Sequence, residues 1–325
     1  MGKKILKVTA ILIVMVMIMI LMAAGYIKAF LPNVGPPPEL SVELTEENIE
    51  RGRYLANHVM LCMDCHAERD FTIFAGPPKP GTEGAGGELF DEKLGVPGQF
   101  VSRNITPAAL GEWTDGEIFR AITSGVSRDG TALFPVMPYP HYSRMDQEDI
   151  YAVIAYLRSL EPIEHDVPPA KIDFPVSFLI NTMPVKTSFQ KRPPADDIIN
   201  YGEYLVTAAA CTDCHTKMEK GAYVGEMFAG GNEYPMPNGT VVRAANLTPH
   251  ETGIGNWTKE QFIHRFKAFS DSSYVPKKVA QGEFQTIMPW LMYSEMKRED
   301  LEAIYEYLKT LSPVNNPVKT FTAGG

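Results

Sequence analysis

One pentapeptide occurs twice in this chain, as Cys62-Met63-Asp64-Cys65-His66 and as Cys211-Thr212-Asp213-Cys214-His215. Both read Cys-x-x-Cys-His, the spacing at which c-type haem is attached. Two thiols three positions apart can each add to one vinyl group of the same porphyrin, and the adjoining histidine then reaches the iron from one face. A disulfide or half of a zinc site uses cysteines at this spacing too. Neither accounts for a histidine at the same offset in both copies. The two motifs use all 4 cysteines, so none is left for a disulfide framework. The expectation is two covalently bound haem c groups, held by Cys62, Cys65, His66, Cys211, Cys214 and His215.

The pentapeptides sit inside a longer repeat. Gly52-Arg53-Tyr54-Leu55 precedes the first and Gly202-Glu203-Tyr204-Leu205 the second. Asn104-Ile105-Thr106-Pro107 answers to Asn246-Leu247-Thr248-Pro249, and Gly111-Glu112-Trp113-Thr114 to Gly255-Asn256-Trp257-Thr258. Met137-Pro138 answers to Met288-Pro289 in the same order. The reading is a duplicated unit at 45–162 and 197–314, joined by a proline-rich connector at 163–196 with little room for helix, and followed by a tail at 315–325. Each unit opens with a helix that delivers the haem motif, with Thr45 and Asp196-Asp197 as caps. Each closes with an amphipathic helix: Ile150, Val153, Ile154 and Leu157 share one face, as do Leu301, Ile304, Tyr305 and Leu308. No run of alternating residues marks a strand. The predicted fold is all-α, with long loops wrapped around the cofactor.

Val8 to Ile27 carry no charge. At 1.5 Å per residue that run covers about 30 Å, enough to cross the apolar core of a bilayer. Lys3, Lys4 and Lys7 before it place the N-terminus on the cytoplasmic side. A cleaved signal peptide would have a shorter apolar region and a clearer small-residue site than Met22-Ala23-Ala24-Gly25, so a retained anchor at 1–31 is expected. Pro36-Pro37-Pro38 makes 32–44 a stiff spacer holding the body off the membrane. A net charge of −9 speaks against nucleic acid as a partner.

The sixth iron ligand decides between chemistry and electron transfer. An open iron binds peroxide; an iron closed by a methionine sulfur passes electrons at raised potential. Of 16 methionines, two pairs recur in register: Met137 with Met288, and Met145 with Met296. The first pair is followed by proline, which fixes a loop, so Met137 and Met288 join His66 and His215 as the expected iron ligands. Met145 and Met296 read as packing residues. The other histidines do not recur between the units and read as surface or hydrogen-bonding residues, with His141 the nearest rival ligand. Arg103 and Arg243 are candidates to neutralise haem propionates. Trp113 and Trp257 are candidates to cover a haem edge or to serve as plain core. Asn104 and Asn246 stand in Asn-x-Thr sequons, but the following proline favours a turn.

The whole series resembles the cytochrome c subunits of membrane-bound bacterial alcohol, aldehyde and gluconate dehydrogenases. It runs from Cys-x-x-Cys-His through Asn104-Ile105-Thr106-Pro107, Trp113-Thr114 and Gly125-Val126-Ser127-Arg128-Asp129-Gly130 to Met137-Pro138-Tyr139. The second half carries Asn246-Leu247-Thr248-Pro249 and Thr252-Gly253-Ile254-Gly255-Asn256-Trp257. Those subunits typically carry three haem domains, where this chain has two. The resemblance implies a membrane-bound electron carrier, not itself an enzyme, on the periplasmic face. It would pass single electrons between a dehydrogenase, oxidase or soluble cytochrome and the respiratory chain, and it maps the family's ligands onto His66, Met137, His215 and Met288. The enzymatic alternative is a dihaem peroxidase, which needs one iron with a displaceable ligand.

Overall fold

The structure is a computed structural model and describes residues 2–324. Helix α1 (Gly2–Phe30) buries none of its residues. Among the described residues it is the one helix long and apolar enough to cross a membrane.

The first half builds α2 (Glu46–Tyr54), which runs on as a π turn over Leu55–Val59. Thr45 caps it as the sequence predicts, its hydroxyl accepting from the Asn48 amide at 3.2 Å. Then come α3 (Cys62–Cys65), α4 (Pro107–Leu110), α5 (Asp115–Ser124), α6 (Tyr139–Tyr142) and α7 (Gln147–Ser159). The connector holds α8 (Val176–Leu179). The second half repeats the plan with α9 (Ile198–Ala208), α10 (Cys211–His215), α11 (Lys259–Lys267), α12 (Trp290–Tyr293) and α13 (Arg298–Thr310). The predicted faces of α7 and α13 are buried: Ile150, Val153, Ile154 and Leu301 have no exposed surface.

The repeated glycines explain themselves at the helix crossings. A Cβ on Gly52 would lie 1.8 Å from the Ala152 carbonyl oxygen of α7, and one on Gly202 would lie 2.1 Å from that of Ala303 in α13. Only glycine lets α2 and α9 pack so close to the closing helices.

The expectation of an all-α fold is too coarse, because the loops carry short ladders. β1 (Leu89–Phe90) pairs antiparallel with β2 (Gly98–Val101), which also takes β3 (Lys171–Ile172) from the connector. A two-stranded ladder joins β4 (Met218–Glu219) to β5 (Ala222–Tyr223). β6 (Glu233–Pro235), β7 (Val241–Arg243) and β8 (Phe321–Thr322) form the counterpart of the first sheet. In both halves, then, the chain leaving the closing helix returns to the edge of a hairpin. Strands of two to four residues are too short to show an alternating pattern.

Three local expectations also change. The connector contains a helical turn, α8. Asp197 occupies the N-cap of α9 but makes no side-chain cap; its carboxylate instead accepts from the Asn200 side-chain amide at 2.7 Å. The segment after Pro37 is not a free spacer. The Pro38 carbonyl lies where a Cβ on Gly116 would stand, the Val42 amide donates to Asp115 at 2.8 Å, and Leu40 and Val42 pack against the core.

One hydrophobic core runs through both halves, and the contacts across the seam are reciprocal. Tyr54 of α2 donates to Asp300 of α13. Tyr204 of α9 donates to Asp149 of α7 at 2.6 Å. By the repeat, Tyr54 matches Tyr204 and Asp149 matches Asp300, so the seam is built as in a two-fold dimer. The seam also crosses over at the short helices: α6 packs on α9, and α12 packs on the π turn after α2.

If the glycine crossings set the helix spacing, Gly52→Ala and Gly202→Ala should each destabilise the folded protein by about 1–3 kcal/mol, the usual cost of overpacking. Gly25→Ala in α1, where nothing lies within 4 Å of the added carbon, should leave the denaturation midpoint unchanged. Urea unfolding of the three variants checks this.

Candidate haem sites

Each haem motif follows a residue in left-handed conformation: Leu61, at φ 56°, and Ala210, at φ 48°. Neither is glycine, so both positions carry strain that the surrounding packing must hold. The kink turns the chain out of the axis of α2 or α9 and starts the short helix that carries the two cysteines and the histidine.

Both imidazoles are held in the same way. His66 Nδ1 donates to the Arg103 carbonyl at 2.6 Å, and His215 Nδ1 to the Ala245 carbonyl at 2.8 Å. With Nδ1 carrying the proton, Nε2 keeps its lone pair for a metal; a second partner of this kind fixes tautomer and ring orientation. Burial lowers the pKa of both rings, opposed by those carbonyls, and so favours the neutral form.

The carbonyls are fixed in turn by the Asn-x-Thr-Pro turns that follow them. Asn104 Oδ1 accepts from the Thr106 amide at 2.9 Å and its hydroxyl at 2.8 Å, while Nδ2 donates to the Ile163 carbonyl at 2.7 Å. Asn246 repeats this with Thr248, and its Nδ2 donates to the Val314 carbonyl at 2.8 Å. Both asparagines are buried. They are Asx turns that staple the chain after α7 and after α13 beneath the histidine. The loop closes from the other side as well: the Gly86 amide donates to the His66 carbonyl at 3.0 Å and the Gly230 amide to that of His215 at 2.7 Å.

All four cysteines are free thiols. Burial pushes the thiols of Cys62, Cys65 and Cys211 up to about 12 and raises that of Cys214. Yet none of the four is classed as buried by its exposed area. Sulfurs crowded by protein yet still reachable can be joined to a group lying against them. That is the setting a covalently tethered, largely apolar cofactor requires, so the residues present fit haem. Among the described residues no three of His, Cys, Asp or Glu converge as a metal site, so the zinc reading finds no support.

Met137 and Met288 are both half-buried and pack, with Cys62 and Cys211, against the common core. Their backbones match: the Tyr139 amide donates to the Met137 carbonyl and the Trp290 amide to that of Met288, each at 2.8 Å. Met145 and Met296 are fully packed core residues at 1% exposure.

Several other candidates have partners within the protein. Arg103 donates to the Val167 carbonyl at 3.0 Å, and Arg243 pairs with Glu233 at 2.6 Å. Trp257 is 38% exposed. His141 Nε2 bonds Asp213 Oδ1 at 2.7 Å across the seam. His58 Nδ1 bonds the Met292 carbonyl at 3.1 Å, also across the seam.

Two tyrosines beside the motifs were missed by the sequence reading. Tyr142, at the end of α6, donates to the Met60 carbonyl at 3.1 Å, and Tyr293, at the end of α12, donates to that of Ala209 at 3.2 Å. Each carbonyl lies two residues before its first motif cysteine. Burial, then the neighbouring cysteines, raise both hydroxyl pKa values well above normal. The signal was present in the sequence, since each tyrosine stands five residues after its recurring methionine.

The cytochrome c family matches residues 199–312. The match lies within the second half. The chain is similar along most of its length to curated proteins. It is 28% identical over 286 residues to the alcohol dehydrogenase (quinone) cytochrome c subunit of Gluconacetobacter polyoxogenes, covering 82% of this chain and 56% of that protein. It is 25% identical over 299 residues to the gluconate 2-dehydrogenase cytochrome c subunit of Pantoea cypripedii, covering 84% and 62%. A diheme cytochrome c-type protein of Cereibacter sphaeroides is 24% identical over 264 residues, covering 78% of this chain and 82% of that one. The chain thus spans little more than half the length of the alcohol dehydrogenase subunit.

The Asx turns should matter to the stability of the whole chain. Asn104→Ala and Asn246→Ala each leave buried amide and hydroxyl groups without an acceptor, at about 1–3 kcal/mol per unsatisfied group. Chemical denaturation of the haem-loaded protein should show both losses, of similar size.

Proposed function

We propose that this chain is a membrane-anchored dihaem c-type cytochrome that passes single electrons between a periplasmic dehydrogenase or other donor and an acceptor of the respiratory chain. One haem domain is 45–162 and the other 197–314, with 163–196 as connector. The observation that carries the reading is the matched pair of histidines, each with Nδ1 bonded to the carbonyl that precedes an Asn-x-Thr-Pro turn.

Haem iron supplies one-electron cycling between ferrous and ferric states. The protein's part is to hold and tune it. Cys62 and Cys65 would tether the first group and Cys211 and Cys214 the second. His66 and His215, kept neutral and oriented, would each offer Nε2. Met137 and Met288, on loops stiffened by Pro138 and Pro289, would offer sulfur as a further ligand and raise the potential. The equivalence of the two methionine loops supports two closed irons, and so electron transfer over peroxide chemistry. The apolar core on which these residues pack lowers the local dielectric and limits water around each site.

The similarity to the alcohol and gluconate dehydrogenase subunits supports a dehydrogenase as donor. Helix α1 supports attachment to the cytoplasmic membrane. Lys3, Lys4 and Lys7 before its apolar run support a cytoplasmic N-terminus with the haem domains outside.

Met137→Ala and Met288→Ala should each remove the sulfur-to-iron charge-transfer band of one haem. Each should also lower one midpoint potential by on the order of a hundred millivolts, within the ~0.8 V range that axial ligands span. Redox titration of the purified protein reads both effects. Spectra and potentials unchanged in the double variant would remove the methionines from the ligand set.

A further inference from the structure

The connector between the halves presents an apolar tip that the electron-transfer reading leaves without a role. Phe174 is 84% exposed and Leu179, at the end of α8, is 39% exposed. Single exposed apolar residues are ordinary, but this pair lies where α1 meets the body.

The contact is made by the 3₁₀ turn Ile180–Thr182, which follows α8 directly and packs against α1. Among the described residues of α1, Ala24 and Ile27 alone are half-buried. They stand at the end of the uncharged run, which Lys28 closes. A run that fills the apolar thickness of a bilayer puts its last residues at the outer boundary. The turn touching α1 therefore lies at that boundary, and α8 with Phe174 lies beside it. Tyr26 and Phe30 stack at 5.3 Å between ring centres in the same stretch of α1. Aromatic rings gather at this depth of a membrane.

The body is not free to swing away from this contact. The chain between α1 and α2 is docked through Pro38, Leu40 and Val42 onto the first half. β3, just before Phe174, is hydrogen-bonded to β2 of the same half. Ile180 is buried in a small core with Val96, Phe100 and Ala132. These three ties lead to the first half.

We propose that the tip formed by Phe174 and Leu179 inserts into the outer leaflet beside α1, as a second membrane contact that seats the first half against the bilayer and turns the second half outward. The partner is the lipid surface itself, at the depth of headgroups and first acyl carbons. The inference rests on the anchoring role proposed for α1. It assigns the haem of His66 to the membrane side and that of His215 to the side facing soluble partners.

The test is lipid photocrosslinking with the full haem-loaded chain in vesicles of phosphatidylethanolamine and phosphatidylglycerol. A benzophenone amino acid replaces one residue at a time: Phe174; Val275 in the second half, itself 77% exposed; and Val16 in the middle of α1. The expected result is lipid adducts, read by mass spectrometry, at positions 16 and 174, with the yield at 174 several-fold above that at 275. Adducts at 16 with 174 no better than 275 would overturn the seating and leave the anchor standing. No adducts at 16 would overturn the anchor and the seating with it. Crosslinks from 174 to a second protein chain in place of lipid would also overturn it, as a protein interface.

Discussion

A histidine that ligates metal is only as well placed as the group bonded to its other nitrogen. Here that group is a main-chain carbonyl in both halves, and much of each loop system serves to hold it. Arg103 and Ala245 donate nothing from their side chains to the imidazoles; what matters is the position of their carbonyl oxygens. That position follows from the Asx turn one residue later, which depends on the chain beyond the closing helix, because Asn104 and Asn246 bond to Ile163 and Val314. The motif histidine is thus tied to the start of the connector in one half and to the C-terminal segment in the other. A carbonyl has no rotamers, so it positions the ring at less entropic cost than a flexible side chain would.

The seam between the halves rests on buried charge. Asp149, 1% exposed as a side chain, accepts a two-pronged bond from Arg51, a second cation from Arg192 at 2.6 Å, and the Tyr204 hydroxyl. Burial works against the Arg51 cation, but Asp149 outweighs it and holds the guanidinium pKa above its usual value. Asp300 takes hydroxyls instead, from Tyr54 and, at 3.0 Å, Tyr201. The repeat places Tyr201 where the first half has Arg51. The same architecture is therefore satisfied once by cations and once by neutral donors. Removing one partner of a buried pair of this kind leaves an uncompensated charge and costs roughly 3–5 kcal/mol; the Tyr204 hydroxyl is the bond by which the second half shares in that site.

The repeat made the larger plan legible. Paired motifs, closing helices and methionine loops all follow from residues that recur in order, and the apolar faces of α7 and α13 were readable because four turns of helix show a clear period. What was not legible is what crosses between the copies. Tyr54 and Asp300 lie in different halves, and each has an equally good partner of the right type in its own half. Only the three-dimensional crossing pairs them. The edge strands β3 and β8 are two residues long and carry no pattern to read. Gly52 and Gly202 were visible as recurring letters, but the reason for them, a carbonyl oxygen in the place of a Cβ, exists only once the helices are packed. The carbonyl partner of Arg103 and the carboxylate partner of Arg243 were likewise not legible, because Val167 and Glu233 lie outside the recurring residues.

The halves also differ at the motifs themselves. Asp64, inside the first pentapeptide, is paired with Arg69 of its own half at 3.3 Å, both side chains buried. Asp213, at the same position in the second, is bonded by His141 of the first half at 2.7 Å and by the Tyr223 hydroxyl at 2.5 Å. The first motif is thus closed within its own domain, while the second has its central carboxylate tied across the seam to α6, the short helix that follows Met137. A shift of the methionine loop in the first half would move a ring bonded to the second motif. The reverse link also exists, since His58 holds the Met292 carbonyl in α12, after Met288. Each methionine loop is therefore braced against the other half, and neither site can relax independently of its neighbour.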